Sequence, residues 1–368
     1  MKEPVPPLYP DDQIAEPQHN GRGALSNASS RYDDEKRIRT DDGWDIEDEL
    51  PPLRTTLTKD ATRTIIARNS SPDIPFDRSI NPYRGCEHGC IYCYARPAHA
   101  FLGLSPGLDF ESRLFFKPDA AALLEKELSA PRYVPRVIHI GGDTDPYQPI
   151  ERQQRVTRQV LEVLQRFSHP FTIITKSALI LRDTDILGDM AARGLTRVAI
   201  SITTLDRKLA RSMEPRAATP ERRLSAVEGL ARAGVPVVVM FAPAIPSLND
   251  HEMEAVLERS AAAGAVGSGY VALRLPLEIS DLFQEWLATD HPDRASRVMS
   301  LVRQMRGGKD YDAAFGARMK GQGPVAQMMG QRFRAARRRY GLDRPLPDLD
   351  LTAFKVPPKP GDQVDLFG

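Results

Sequence analysis

The chain contains three cysteines, all within eight residues: Cys86-Glu87-His88-Gly89-Cys90-Ile91-Tyr92-Cys93. An odd, small count excludes a disulfide framework and leaves thiolate chemistry. The C-x3-C-x2-C spacing presents three metal-ligating sulfurs on one loop. A closed structural zinc site takes four ligands, so zinc would need His88 or His99 as the fourth. A four-iron, four-sulfur (4Fe-4S) cluster is normally held by four cysteines, and three leave one iron open to an outside ligand. An open metal position is what chemistry requires. The spacing, the absence of a spare thiol and the position of the loop after a strand favour the cluster over zinc or an inert loop.

Such a loop needs a scaffold, and the flanking pattern supplies one. The chain has 368 residues, 41% hydrophobic and 27% charged, with a net charge of +1. That length suits two or three domains, or one α/β barrel with extensions. It can bury a core without covalent staples, and its bulk charge selects no partner. No run approaches the roughly 18 apolar residues of a membrane helix. The N-terminal MKEPVPPLYPDDQ lacks an apolar signal region, so a cytoplasmic protein is expected. From about Ser79 to Pro276, β-rich runs at Ser79–Tyr83, Arg136–Ile140, Phe171–Thr175, Thr196–Ile202, Pro236–Phe241 and Tyr270–Leu275 alternate with helical segments. The helical segments are Ala120–Leu128, Glu151–Phe167, Asp185–Arg193, Pro220–Ala233 and Asn249–Ala263. Continuous apolar runs such as Val235-Pro236-Val237-Val238-Val239-Met240 suit strands buried on both faces of a parallel sheet. Gly194, Gly234 and Gly264 stand where a glycine ends a helix. Six strand–helix units imply right-handed parallel crossovers and are too few for a closed eight-stranded barrel. The expected fold is therefore α/β, an open, partial (β/α)6 TIM-type barrel over residues 56–277, with the cysteine loop at its C-terminal mouth.

Three further segments flank the barrel. Residues 1–55 read as an acidic, mostly disordered extension, because residues 1–50 hold 13 acidic against 6 basic side chains and no long apolar period. Within it, Gly21-Arg22-Gly23-Ala24-Leu25-Ser26-Asn27 reads as flexible linker in preference to a docking element. Residues 278–344 read as helical. Arg334, Arg337 and Arg338 share one helix face and Phe333, Ala336 and Tyr340 another, which describes a docked helix with a basic exterior that could meet phosphates. Residues 345–368 read as an extended, proline-rich tail.

Residues 79–276 resemble the radical S-adenosylmethionine (radical SAM) superfamily, whose hallmark is C-x3-C-x-aromatic-C, here with Tyr92 as the aromatic. Within it the chain looks most like the spore photoproduct lyase-related, DNA repair photolyase-like group. The resemblance is carried by Asn81-Pro82-Tyr83-Arg84-Gly85-Cys86, Cys93-Tyr94-Ala95-Arg96-Pro97 and Gly141-Gly142-Asp143-Thr144-Asp145-Pro146-Tyr147-Gln148-Pro149. Thr175-Lys176-Ser177 and Glu214-Pro215-Arg216 add to it.

The resemblance implies that Cys86, Cys90 and Cys93 ligate three irons of a 4Fe-4S cluster. The fourth iron would chelate the methionyl group of SAM, and one electron would then release a 5′-deoxyadenosyl radical. It implies that Gly141, Gly142 and Asp143 receive the SAM ammonium, with Asp where the superfamily carries Glu. Lys176 would pair with the SAM carboxylate, Ser201 would bond ribose or carboxylate, and Tyr92 would lie beside the adenine. Spore photoproduct lyases use an additional cysteine near the end of the second strand as hydrogen donor. Here Gly142 and Asp143 occupy that region, which leaves Tyr94, with Tyr92, as a candidate radical relay. The implied partners are an electron donor such as flavodoxin or ferredoxin, and a substrate that is a nucleic acid or, alternatively, a protein or small metabolite. A non-catalytic, zinc-stabilised binding module is the reading from another class. The terminal Gln363-Val364-Asp365-Leu366-Phe367-Gly368 resembles the short motif by which bacterial repair and replication proteins bind the DNA polymerase sliding clamp. Gln363 would be its polar anchor, and Leu366 and Phe367 its apolar pair.

Overall fold

The structure, a computed structural model, describes residues 21–32 and 53–358. Its first half comprises β1 (Thr56–Lys59), β2 (Ile66–Arg68), β3 (Arg78–Ile80), β4 (Tyr83–Arg84), α1 (Leu108–Ser112), β5 (Arg113–Phe116), α2 (Ala120–Leu128), β6 (Ile138–Ile140), α3 (Glu151–Gln154) and α4 (Val156–Arg166). Then follow β7 (Phe171–Thr175), α5 (Thr184–Ala192), β8 (Thr196–Ser201), α6 (Arg207–Met213), α7 (Pro220–Arg232), β9 (Val237–Ala244), α8 (Met253–Ala262) and β10 (Gly267–Ala272). The chain continues through α9 (Ile279–Asp290), α10 (Pro292–Gln304) and α11 (Gly323–Arg339).

The main sheet has the order β2-β3-β6-β7-β8-β9-β10. Strands β3 and β6 to β10 are parallel and lie in chain order, and β2 pairs antiparallel on the outer edge of β3. The register aligns Ile80, Ile140, Ile173, Val198 and Val237 in one row across five strands, and all five side chains are buried. β-branched residues fit a pleated surface packed on both sides, which is why these runs form the interior of the sheet. The helices bury one stripe each. In α4 this is Val156, Val160, Val163 and Leu164, and in α7 it is Leu224, Val227 and Leu230. The start of α7 is set by Thr219, whose Oγ1 accepts from Arg222 N, followed by Pro220 in the first turn. Gly194, Gly234 and Gly264 take positive φ at the helix ends.

Four expectations need correction. The run Glu151–Phe167 is two helices, broken where Arg155 turns left-handed (φ 51°). The last parallel strand is Gly267–Ala272 in place of Tyr270–Leu275, and the first ends at Ile80, because the chain leaves the ladder to shape the mouth. Residues 21–30 are docked against the cysteine loop and Glu111 in place of being a free linker. A small second sheet, β1-β5-β4, which the pattern did not predict, lies beside the cysteine loop.

The main sheet is not closed. Its free edges, β2 and β10, are spanned by the loop after α10. Met319 O accepts from Ala272 N at the end of β10, while Arg318 bonds Asp73 and Ser71 beyond the end of β2, and Gly316 N also donates to Asp73. The proline-rich stretch before residue 358 lies across the strand starts. Asp350 N donates to Gly194 O, Lys355 N to Phe167 O, and Phe354 packs on Tyr133, Phe167 and His169. Residues 359–368, with the clamp-like motif, lie outside the described residues. No helix among the described residues is long and apolar enough to cross a membrane.

Candidate active site

The cysteine loop leaves β4 and turns tightly at the strand ends. Cys86 N donates to Phe110 O, Gly89 N to Cys86 O and Cys93 N to Cys90 O. Cys86 and Cys90 are buried and Cys93 is half-buried. Burial pushes all three thiols above their ordinary pKa, and each is raised further by a neighbouring thiol or acid. Lys176 pulls Cys90 and Cys93 the other way. A dry thiolate needs a positive counterpart, so this loop suits a cationic metal core that displaces three protons.

Of the two histidines able to complete a zinc site, one is engaged elsewhere and the other has one ring nitrogen taken by a carboxylate. His88 Nδ1 lies 3.3 Å from Asp145 Oδ2. His99 Nε2 bonds Arg113 O at 3.0 Å, and burial lowers that ring to a pKa of about 4. Among the described residues no three His, Cys, Asp or Glu side chains converge as they would on one metal ion. The three thiols on one loop are the set that a cluster with one open iron would take.

Three supports hold the loop. The first is carried by Asp145, whose carboxylate accepts from Thr175 Oγ1 (2.6 Å), Lys176 N (2.8 Å) and Tyr147 N (2.9 Å). Burial alone would raise this acid, but His88 and these donors overcome it and bring the pKa to about 2. The beginning of the turn after β6, the end of β7 and the cysteine loop thus share one anion. Gln148 adds to this support, accepting from Glu87 N and donating to Gly85 O.

The second support is Glu214. Buried, it accepts from Tyr92 OH, Arg223 and Thr203 Oγ1, so the aromatic of the motif is fixed through a buried ion pair. Arg216 reinforces it from the same segment, pairing with Glu87 and donating its N–H to His88 O.

The third support is the N-terminal segment read as linker. Glu111, fully buried, accepts from Gly23 N (2.9 Å), Ala24 N (2.8 Å) and Arg96. Arg22 donates to Glu111 O, Leu53 O and Thr55 Oγ1, and Thr55 in turn bonds Glu87. Gly23 lies so close to the loop that a Cβ there would sit 1.8 Å from Gly89 O. Beneath the loop, Cys90, Ile91 and Tyr92 share an apolar cluster with Phe283, Trp286 and Val298 of the C-terminal helices.

The remaining sequence-predicted residues border the loop. Lys176 Nζ lies 5.7 Å from the centre of the Tyr92 ring and has no ion-pair partner among the described residues. Tyr94, half-exposed, donates its hydroxyl to Gly142 O, tying the loop to the end of β6. Gly141 has φ 96°, and its Cβ would meet Ile174 O at 2.7 Å, so the backbone itself demands glycine there. Gly142 differs: a Cβ would meet only ordinary contacts with Ser79 and Asn81. The packing gives no reason for glycine at 142. Asp143 turns toward Asn81, which bonds its carboxylate and its N–H. Ser201 ends β8, buried, with its carbonyl bonded by Arg223. Sequence reasoning gave no role to Asp145, Glu214, Glu111 or Arg22. Only the buried acid in an otherwise apolar setting, as at Glu111, would have signalled one.

Residues 80–259 match the family profile described as Radical SAM superfamily. The chain belongs to that superfamily and is a radical SAM enzyme. It is 35% identical over 233 residues to "Uncharacterized protein Rv2578c" of Mycobacterium tuberculosis, covering 63% of this chain and 68% of that one. It is also 28% identical over 173 residues to "Uncharacterized protein MJ0683" of Methanocaldococcus jannaschii, covering 47% and 62%. Among solved structures it resembles spore photoproduct lyase complexed with dinucleoside spore photoproduct. That likeness has TM-score 0.55 at 17% identity over 77% of this chain and 79% of the other, a likeness of fold.

Proposed function

We propose that Cys86, Cys90 and Cys93 hold a 4Fe-4S cluster with one open iron, and that SAM binds beside it at the mouth of an open, partial (β/α)6 barrel. The carrying observation is that three thiols, two buried and one half-buried, share the strand ends with the Lys176 ammonium, which has no ion-pair partner among the described residues. The sequential order of six parallel strands supports the barrel reading. When bound, this pair supplies reductive cleavage of SAM to a 5′-deoxyadenosyl radical that removes hydrogen from the substrate.

The protein residues position and exclude water. Lys176 meets the SAM carboxylate as a point charge. Gly141 and Gly142 leave the end of β6 open to the methionyl group, with Asp143 at its margin. Tyr92, held by Glu214, walls the adenine side, and Ser201 offers a hydroxyl to the ribose. The segment 22–30 and α9 keep the loop dry. Tyr94 stands between the loop and the β6 end, where it can relay a hydrogen atom.

For the substrate we propose a nucleic acid. Arg334 and Arg338 are exposed on α11, whereas Phe333 and Ala336 are buried and Arg332 is spent on Asp250 and Glu254. The basic face is thus free to meet phosphate. The test is anaerobic reduction of reconstituted protein with SAM, followed by detection of 5′-deoxyadenosine. A preparation with stoichiometric iron and sulfide that forms none would sink this reading.

A further inference from the structure

Arg274 stands where the chain leaves β10, and it is unlike the other guanidiniums near the mouth. Arg216 pairs with Glu87, Arg223 with Glu214 and Arg96 with Glu111. Arg306, buried beside Arg274, is satisfied by Ala317 O and Leu273 O. Arg274 has no acid partner among the described residues. Its one side-chain hydrogen-bond contact is Nη1 to Met319 Sδ at 3.5 Å, a weak acceptor. Its Nε is closed off from solvent with no hydrogen-bond partner. Its guanidinium carbon lies 5.2 Å from the centre of the Tyr94 ring, and Tyr94 reaches across to Gly142.

The placement is held from both sides. Ala272 N donates to Met319 O, and Leu273 O accepts from Arg306. The end of the sixth parallel strand is therefore fixed, and Arg274 is aimed by its backbone and by the aromatic face beneath it. Arg274 is partly exposed, and a guanidinium lying over a ring keeps terminal Nη donors for an oxyanion. Buried donors in native proteins are nearly always satisfied, and an orphan needs an explanation. Lys176, just after the third parallel strand, is the cation assigned to SAM, and Lys117 lies near Asp143, so Arg274 is the guanidinium at the mouth with no acid beside it among the described residues.

We propose that Arg274, stacked on Tyr94, recognises a phosphate group on the substrate and sets it across the mouth from the SAM site. This rests on the radical SAM reading of the mouth, and it deepens it by naming the chemical class the substrate must carry. A phosphodiester in a strand and a phosphate monoester on a free nucleotide present the same chemistry. The two sources differ in what lies on either side of the phosphorus.

The test uses the full-length, cluster-loaded protein with SAM under anaerobic conditions. Calorimetry measures binding of three probes: a ten-nucleotide oligothymidylate, thymidine 5′-monophosphate and thymidine. The expected result is binding of at least one phosphate-bearing probe and not of thymidine, with the preferred probe identifying the source. Arg274→Gln should weaken that binding tenfold or more, and Arg274→Lys should restore only part of it, because a point charge cannot make the fork contact. Iron content and circular dichroism matching the parent establish that the variants are folded. Equal affinity in parent and Arg274→Gln, or binding of thymidine as tight as of the phosphate probes, overturns the assignment, as does failure of both phosphate probes to bind. Loss of 5′-deoxyadenosine formation in the parent would instead defeat the radical reading, so the two failures are distinguishable.

Discussion

Gly23→Ala puts the role of the N-terminal segment to a quantitative test. The added Cβ would sit 1.8 Å from Gly89 O, where real Cβ atoms essentially never come within 3.0 Å, so the segment must lift by about 1.2 Å. The Gly23 and Ala24 amides now reach Glu111 at 2.9 and 2.8 Å. A lift of that size takes them out of hydrogen-bond range. Hydrogen bonds to a charged group contribute about 1.5–3 kcal/mol each, so losing both costs about 3–6 kcal/mol at most. Glu111 keeps Arg96 and the core around the parallel sheet is untouched, so the expected response is local detachment, not unfolding. Trypsin should cut after Arg22 and Arg31 at least tenfold faster than in the parent, and an iron chelator should strip the loaded protein faster. Far-UV circular dichroism should not change. Parent-like proteolysis and parent-like iron release together would refute the claim that this segment braces the cysteine loop.

Cys90→Ala should abolish cluster retention and 5′-deoxyadenosine formation, since no spare thiol exists; iron analysis and product chromatography check this. Lys176→Met should weaken SAM binding by about 1.5–3 kcal/mol if its ammonium meets the carboxylate, which calorimetry measures; an unchanged affinity would return Lys176 to a solvent-facing role. Asp145 has its folded pKa depressed from 3.8 to about 2, so its stabilisation is present above about pH 4 and is lost as pH falls through 2. The shift is worth about 2 kcal/mol. Asp145→Asn should therefore lower the denaturant midpoint at pH 7 and flatten the decline in stability between pH 4 and 2. A peptide of residues 357–368 should bind a bacterial sliding clamp at micromolar affinity, about −8 kcal/mol, and Leu366→Ala with Phe367→Ala should remove it; calorimetry without heat at high peptide concentration would end that idea.

The parallel strands were legible because each carries its own instruction. Val237 to Val239 are apolar and β-branched without interruption, and α2, Ala120–Leu128, falls where its apolar period places it. The cysteine loop was legible for a similar reason, since its spacing is local. What stayed hidden is encoded in pairs far apart in the chain. Gly23 is buried only because Glu111, 88 residues later, offers two oxygens to its backbone and its neighbour's. The segment has no apolar period of its own to announce this. The β1–β5 ladder joins Thr56 to Arg113, and nothing within Thr56–Lys59 distinguishes it from an exposed polar strand. Asp145 and Glu214 lie in stretches noted for resemblance, but their roles come from partners on three different strands or loops. The mouth contains one further non-local feature, the orphaned guanidinium of Arg274, which only the absence of an acid nearby reveals.

The unclosed sheet has a mechanical consequence. Between neighbouring strands, separation requires breaking a ladder of backbone hydrogen bonds. Among the described residues β2 and β10 share no ladder, and Arg318 and Gly316 form a latch onto Asp73 and Ser71. The Arg318 and Asp73 side chains are 16% and 9% exposed. The wall therefore has a seam whose parting leaves every strand pair intact. A closed barrel admits only what fits through its rim, and a polymer would have to present an end or a protruding unit. A wall with a seam can also be entered from the flank.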